Sequence, residues 1–162
     1  MSLKEEFCEN IRLCERSMYG LAWSVLHNEQ DAADAMSEAV VRAYSHYEQL
    51  KKKDAFKPWI LKILHNTCLE MLRGRRQTVD IDQQYDLEDP GRGPDVSTRM
   101  ALRQAVEALG QPYRTVVTLF YYEDLPVAEI ARITGATPGA VKKQLSRGRE
   151  MLRDSLQKED FC

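Results

Sequence analysis

The strongest constraint on this chain lies between Ile60 and Leu72. Ile60, Ile63, Leu64, Thr67, Cys68, Met71 and Leu72 recur at i, i+3, i+4, i+7 spacing, which places them along one face of a helix. A strand would scatter the same residues over both faces, because its side chains alternate with period two. Pro58 suits the first turn of this helix, where its missing N–H costs nothing, and Gly74 reads as its end. The polar half is basic, so the helix needs a partner for its apolar side and a reason for its charge.

The same period recurs upstream. Phe7, Ile11, Cys14, Met18, Leu21, Ala22 and Val25 predict a helix over 5–26. Asn28 then offers a cap for a second helix running from Ala32 to about Tyr47. "EQLKKKDAFKP" reads as a basic loop before the third helix. Three helices with complementary apolar faces make a small bundle, and core packing accounts for the apolar stripe. Trp59 lies on the apolar side, which favours packing over stacking on a base. Residues 77–98 carry two prolines, two glycines and little periodicity, and read as a linker. Being acidic, that stretch is either a solvated tether or a stand-in for nucleic acid in a basic channel. A second helical unit follows, with Leu102, Val106 and Leu109 leading to Gly110. The fold class is therefore all-α, with two small helical domains joined by an acidic flexible linker.

Net charge is only −2, but it is unevenly distributed. Residues 1–40 carry −5, 41–76 carry +6, 77–98 carry −5 and 138–153 carry +4. Two basic patches separated by acidic stretches are more informative than the total. The start, "MSLKEEFCEN", is acidic and without an apolar core, so no signal peptide is expected. No apolar run approaches the roughly 20 residues of a membrane span; a cytoplasmic protein without membrane insertion is expected. Cys8, Cys14, Cys68 and Cys162 form no C-x-x-C pair and read as reduced thiols, Cys68 as core. A metal or redox role for Cys8 and Cys14 is the weaker alternative. With no glycine-rich phosphate loop, metal-ligand cluster or nucleophile–base set, the sequence predicts no enzyme, no cofactor and no metal.

The most specific pattern lies near the C-terminal end. Val127 to Thr134 reads as a short helix with Ile130, Ala131 and Ile133 inward, and Gly135 as a left-handed turn. Thr137 is a cap, followed by Pro138 and Gly139 at a new helix start. That helix buries Val141, Leu145 and Leu152 and presents Lys142, Lys143, Ser146, Arg147 and Arg149. The stretch resembles a helix-turn-helix, whose second helix suits the DNA major groove, with a solvated charged face on an ordinary helical hairpin as the alternative.

With both halves in view, the chain resembles a bacterial RNA polymerase sigma factor of the extracytoplasmic-function group, in the sigma-70 family. The resemblance rests on "DAADAMSEAVVRAY", "FKPWILKILHNTCLEMLRGRR" and "LGQPYRTVVTLFYYEDLPVAEIARITGATPGAVKKQLSRGRE", in that order across an acidic linker. It implies a promoter-recognition subunit with a region 2-like bundle at 1–76, a linker at 77–98 and a region 4-like domain at 99–162. By similarity, Asp34, Met36, Glu38 and Arg42 dock on core RNA polymerase. The third helix and the loop before it hold the opened −10 element, through Lys52, Lys53, Phe56, Lys62, Asn66, Arg73, Arg75 and Arg76. The −35 duplex falls to Lys143 and Arg147 at base edges and to Lys142, Gln144 and Arg149 at phosphates. The helix start at Pro138 and Gly139 lies nearest the DNA. Promoter DNA, core polymerase and an anti-sigma factor are the implied partners.

The chain departs from the family pattern at Ala33, Ser37, Val40, Lys143 and Gly148. Glycine inside a helix costs about 1 kcal/mol, so Gly148 predicts a weakened recognition helix whose end orders on DNA. Rival readings are a DNA-binding regulator acting without core polymerase, a decoy for an anti-sigma protein and a membrane-lying third helix. Co-purification with core polymerase separates the first of these from a sigma factor.

Overall fold

A computed structural model describes residues 2–51, 55–78 and 98–160, and every regular element among them is helical. Helix α1 spans Leu3–Leu26, α2 Glu29–Ser45 and α3 Phe56–Thr78, with a 3₁₀ turn at Tyr47–Gln49. After residues 79–97, which lie outside the described set, come α4 (Thr98–Glu107) and α5 (Tyr113–Val117); the ends of the expected 77–98 linker, Gln77, Thr78 and Thr98, belong to helices α3 and α4. A π-helical turn (Thr118–Tyr122) continues α5, followed by α6 (Val127–Thr134) and α7 (Pro138–Asp160).

Local chemistry explains where the first helices begin. Ser2 and Glu5 form a reciprocal capping box: Glu5 N–H donates to Ser2 Oγ at 3.1 Å and Ser2 N–H to Glu5 Oε1 at 3.0 Å. Those bonds hold the Glu5 carboxyl below its ordinary range. Asn28 caps α2 by accepting from Asp31 N–H at 2.8 Å. Between the two helices, His27 takes a left-handed conformation, and its N–H closes α1 on the Trp23 carbonyl.

Packing of the first three helices depends on size. Helix α2 buries Ala32, Ala35, Ala39 and Ala43 completely, so α1 and α3 approach it closely. Met18 and Leu21 of α1, with Ile60, Leu61 and Leu64 of α3, fill the space between. Tyr47 is fully buried and donates its phenol O–H to Glu6 Oε1 at 2.8 Å, while accepting from Asn10 Nδ2. Its ring packs against Phe7, Phe56 and Trp59, anchoring the turn that precedes α3. Core packing of Trp59 is thereby accounted for.

Two expectations are corrected here. Gly74 does not end α3, which continues to Thr78; one glycine lowers helix propensity by only about 1 kcal/mol, and neighbouring turns carry it. Nor does α7 stop at Gly148, since the helix runs on to Asp160. Gly148 is buried, and a Cβ there would lie 2.9 Å from Val117 Cγ2. Glycine at 148 lets the recognition helix lie close against α5.

The two helical units also touch each other, a relation that helical periodicity does not reveal. Helix α6 packs on α3, and α5 with its π-helical turn packs on α1. Buried residues of both units form one continuous apolar cluster.

Candidate nucleic-acid and polymerase interfaces

The helix-turn-helix is built as its residues require. Gly135 has φ 82° and ends α6 with its N–H on the Ala131 carbonyl. Thr137 Oγ1 accepts from Ala140 N–H at 3.1 Å and so caps α7. Val141, Leu145, Gly148 and Leu152 form the inward side of α7. Lys143, Ser146 and Arg147 are exposed on the opposite side, in line with exposed Gly139 at the helix start. Pro138, Lys142 and Arg149 are exposed on one flank. Arg149 Nη1 donates to the Tyr121 hydroxyl at 3.0 Å, tying this cation to the π-helical turn. Gln144 is half-buried on the other flank. The predicted base-edge pair therefore sits at the crest of the helix, and Gln144 stands apart from the other phosphate candidates.

On α3 the polar stripe is Lys62, Asn66 and Arg73, all exposed and spaced at helical intervals opposite buried Leu61, Leu64 and Cys68. Lys62 Nζ donates to the Arg132 carbonyl in α6 at 3.1 Å. Arg75 and Arg76 belong to the same helix, but their side chains lie outside the described set, as do Lys52 and Lys53 altogether. Phe56 is withdrawn from the DNA-facing set. It is only 3% exposed, with ring centroids 5.9 Å from Phe7 and 5.6 Å from Trp59, so it serves the core.

Helix α2 carries the third surface. Asp34 and Glu38 are exposed, Met36 is half-buried, and Arg42 is engaged within the chain. Arg42 pairs with Glu38 at 3.0 Å and with Glu70 at 2.9 Å, and donates to Thr67 Oγ1 at 3.3 Å. Those bonds hold the Glu70 carboxyl below its ordinary range. Pairs this exposed stabilise a fold little; their effect is to fix α2 against α3. Sequence reading missed Val41, which is 67% exposed and shares a face with Asp34 and Glu38. An apolar residue left in water among charged neighbours is the signal that could have found it. A groove of about 450 Å³ beside Met36, between α1 and α2, is lined by Ala33, Ser37 and Val40 with Ile11 and Met18.

No three His, Cys, Asp or Glu side chains among the described residues are arranged to hold a metal ion. Cys14 and Cys68 are buried, and burial pushes the Cys68 thiol up to about 12, leaving it protonated and inert. No described helix is long and apolar enough to cross a membrane.

Comparison with known proteins settles the family. The family model "Sigma-70 region 2" matches residues 11–78, and "Sigma-70, region 4" matches residues 99–152. The chain is 32% identical over 148 residues to the RNA polymerase sigma factor SigV of Bacillus subtilis, covering 91% of this chain and 89% of that one. This chain belongs to the sigma-70 family. Its relatives include members named as ECF sigma factors, which places it in the extracytoplasmic-function group: SigW of Bacillus subtilis is 26% identical, covering 94% of this chain and 90% of its own. The sigma factor RpoE of Bartonella quintana, solved in complex with the anti-sigma factor NepR, superimposes with a TM-score of 0.76 at 19% identity. The match covers 94% of this chain and 98% of RpoE. CnrH, solved with the cytosolic domain of CnrY, gives 0.69 at 19% identity, covering 96% and 90%. As a sigma factor the chain is a transcription initiation factor that directs core RNA polymerase to promoters, and a regulator acting without core is not favoured.

Proposed function

We propose that α7 reads the −35 duplex, that the Lys62–Asn66–Arg73 stripe of α3 holds the opened −10 strand, and that α2 docks on core polymerase. One observation carries this reading: Lys143 and Arg147 stand exposed at the crest of a capped helix whose other side is buried at Val141, Leu145, Gly148 and Leu152. A helix of that form enters the major groove, where lysine and arginine donate to guanine and Lys142 and Arg149 reach phosphate. On α3, exposed cations neutralise phosphates of a single strand, and Asn66 donates to or accepts from an unstacked base. Residues 1–76 act as the polymerase and −10 unit, 77–98 connect, and 99–162 act as the −35 unit. The chain performs this work without catalysis of its own, in the cytoplasm, with an anti-sigma factor as a further partner like the one bound to the Bartonella quintana sigma factor RpoE.

In-vitro transcription with core polymerase on a promoter library tests the assignments. Arg147→Ala is expected to weaken discrimination at one −35 position by about tenfold, with attachment to core unchanged in a pull-down. Unchanged promoter choice would remove Arg147 from base readout. Conversely, Val41→Asp should weaken core binding by about tenfold, because a carboxylate buried in an interface loses its water. Its binding to −35 duplex should match that of the unaltered chain, and intact core affinity would move the docking surface off α2.

A further inference from the structure

We propose that the cleft where α1 meets the second helical unit is a binding site for a guanine nucleotide, with Arg16 and Arg103 on its phosphates and the Glu123 carboxylate on the edge of its base.

The cleft has a volume of about 460 Å³, within the range of small-molecule sites, which favour the boundary between domains. Arg16, Tyr19, Gly20 and Trp23 follow one another at i, i+3, i+4 and i+7, so one face of α1 makes the first wall. The facing wall combines Arg103 of α4 with Tyr122, the last residue of the π-helical turn, and Glu123 directly after it.

The charged groups of the cleft divide into those already engaged and those still open. Arg114 is engaged: its Nε donates to the Ser24 carbonyl at 2.7 Å and its Nη1 to the Leu109 carbonyl at 2.8 Å, with Glu107 near enough to act on its charge. Arg16 and Arg103 are both exposed, and neither forms an ion pair among the described residues. The Arg103 guanidinium carbon lies 5.4 Å from the centroid of the Tyr122 ring, a contact that positions the cation through its charge. Two guanidinium groups with open N–H donors match the several oxygens of a phosphate group.

Aromatic surface is available beside them. Tyr19 and Tyr122 leave 38% and 41% of their area exposed. Trp23 is half-buried and held in a T-shaped pair with His27, ring centroids 4.4 Å apart. A base stacks on such rings whatever its identity, because every base has a π-face. Identity falls to Glu123. Its carboxylate lies against Gly20, where a Cβ would collide with Oε2, so glycine lets α1 come close to it. An ionised carboxylate only accepts hydrogen bonds. Guanine presents two adjacent donors, its N1–H and its 2-amino group, whereas adenine turns a ring-nitrogen acceptor toward the same place. Glu123 therefore selects guanine, and its charge directs the phosphates to the arginines. Because the walls come from both units, a bound nucleotide ties them together and stabilises the chain by mass action.

Calorimetric titration of the full chain with GTP, set beside ATP, guanosine and tripolyphosphate, tests this. GTP is expected to bind saturably and to raise the thermal midpoint as its concentration rises. Guanosine and tripolyphosphate, each lacking half of the ligand, should bind more weakly. ATP should bind about tenfold more weakly than GTP, because an acceptor facing the carboxylate leaves both unpaired. Arg16→Ala and Arg103→Ala should each weaken GTP binding about tenfold, the worth of one charge-assisted hydrogen bond. Both side chains are exposed, so the urea midpoint without nucleotide should stay where it is. Glu123→Gln adds a donor to the acceptor and should bring GTP and ATP to similar affinity, a change that a purely structural role would not produce. Absence of saturable GTP binding at millimolar concentration overturns the proposal. Tripolyphosphate binding as tightly as GTP does so too, since any basic surface holds a polyanion. A GTP affinity untouched by both arginine variants, or matched by ATP, is equally fatal.

Discussion

Gly148→Leu is expected to destabilise the second helical unit by about 3 kcal/mol, at the upper end of what overpacking a filled core costs. Even a single added carbon would sit 2.9 Å from Val117 Cγ2, well inside ordinary contact distance. Val117 is 1% exposed and branched at Cβ, so its side chain strongly prefers one rotamer and yields little room. Two effects oppose each other at this position. Alanine or leucine recovers up to about 1 kcal/mol of helix propensity relative to glycine, whereas crowding costs about 1 to 3 kcal/mol. Crowding should win narrowly for Gly148→Ala and decisively for leucine. Urea denaturation followed by far-ultraviolet circular dichroism reads the difference, and −35 duplex binding should weaken as α7 is pushed from α5. Adding Val117→Ala to Gly148→Ala should recover stability, giving a coupling that neither single change predicts. Full stability in Gly148→Leu would mean that α7 and α5 do not approach this closely in solution.

Acidification is expected to remove about 3 kcal/mol of stability through one side chain, His65. It is 7% exposed, its Nδ1 has no hydrogen-bond partner, and burial followed by the nearby Lys62 ammonium pushes its pKa down to about 4. The unfolded chain takes up a proton at the ordinary value of 6.5. Between those values the unfolded state binds more protons, so stability rises with pH. The contribution is complete above about 6.5, falls as pH drops and is lost by about 4. Carboxylates such as Glu5 and Glu70 also titrate in acid, so the informative quantity is the difference from His65→Leu. That variant carries no proton at 65, and its denaturation midpoint should fall less than that of the unaltered chain over this window. Parallel pH curves for the two proteins would show that His65 is not buried in neutral form.

Much of the architecture is visible without coordinates because its causes are local. The stripe from Ile60 to Leu72 is a helix face, Asn28 and Thr137 cap the helices that follow them, and Gly135 turns left-handed between α6 and α7. Each depends on residues within a few positions, where spacing and side-chain chemistry suffice. The basic crest of α7 is legible for the same reason, since helical periodicity separates Lys143 and Arg147 from Val141 and Leu145.

Other positions turn on neighbours far along the chain. Phe56 looks like a loop aromatic free to meet a base until Phe7 and Tyr47 close around it. Gly148 looks like a defect in the recognition helix until Val117 is brought against it. Arg42 looks available to a partner until Glu70, on another helix, claims it. By itself the sequence determined the helices, their caps and the charged faces they carry, because hydrogen-bond spacing and amphipathic period are written over a few residues. Tertiary structure alone decided which of those faces meet, most of all at Ser24 with Arg114 and Lys62 with Arg132, because such contacts depend on shapes assembled from distant segments.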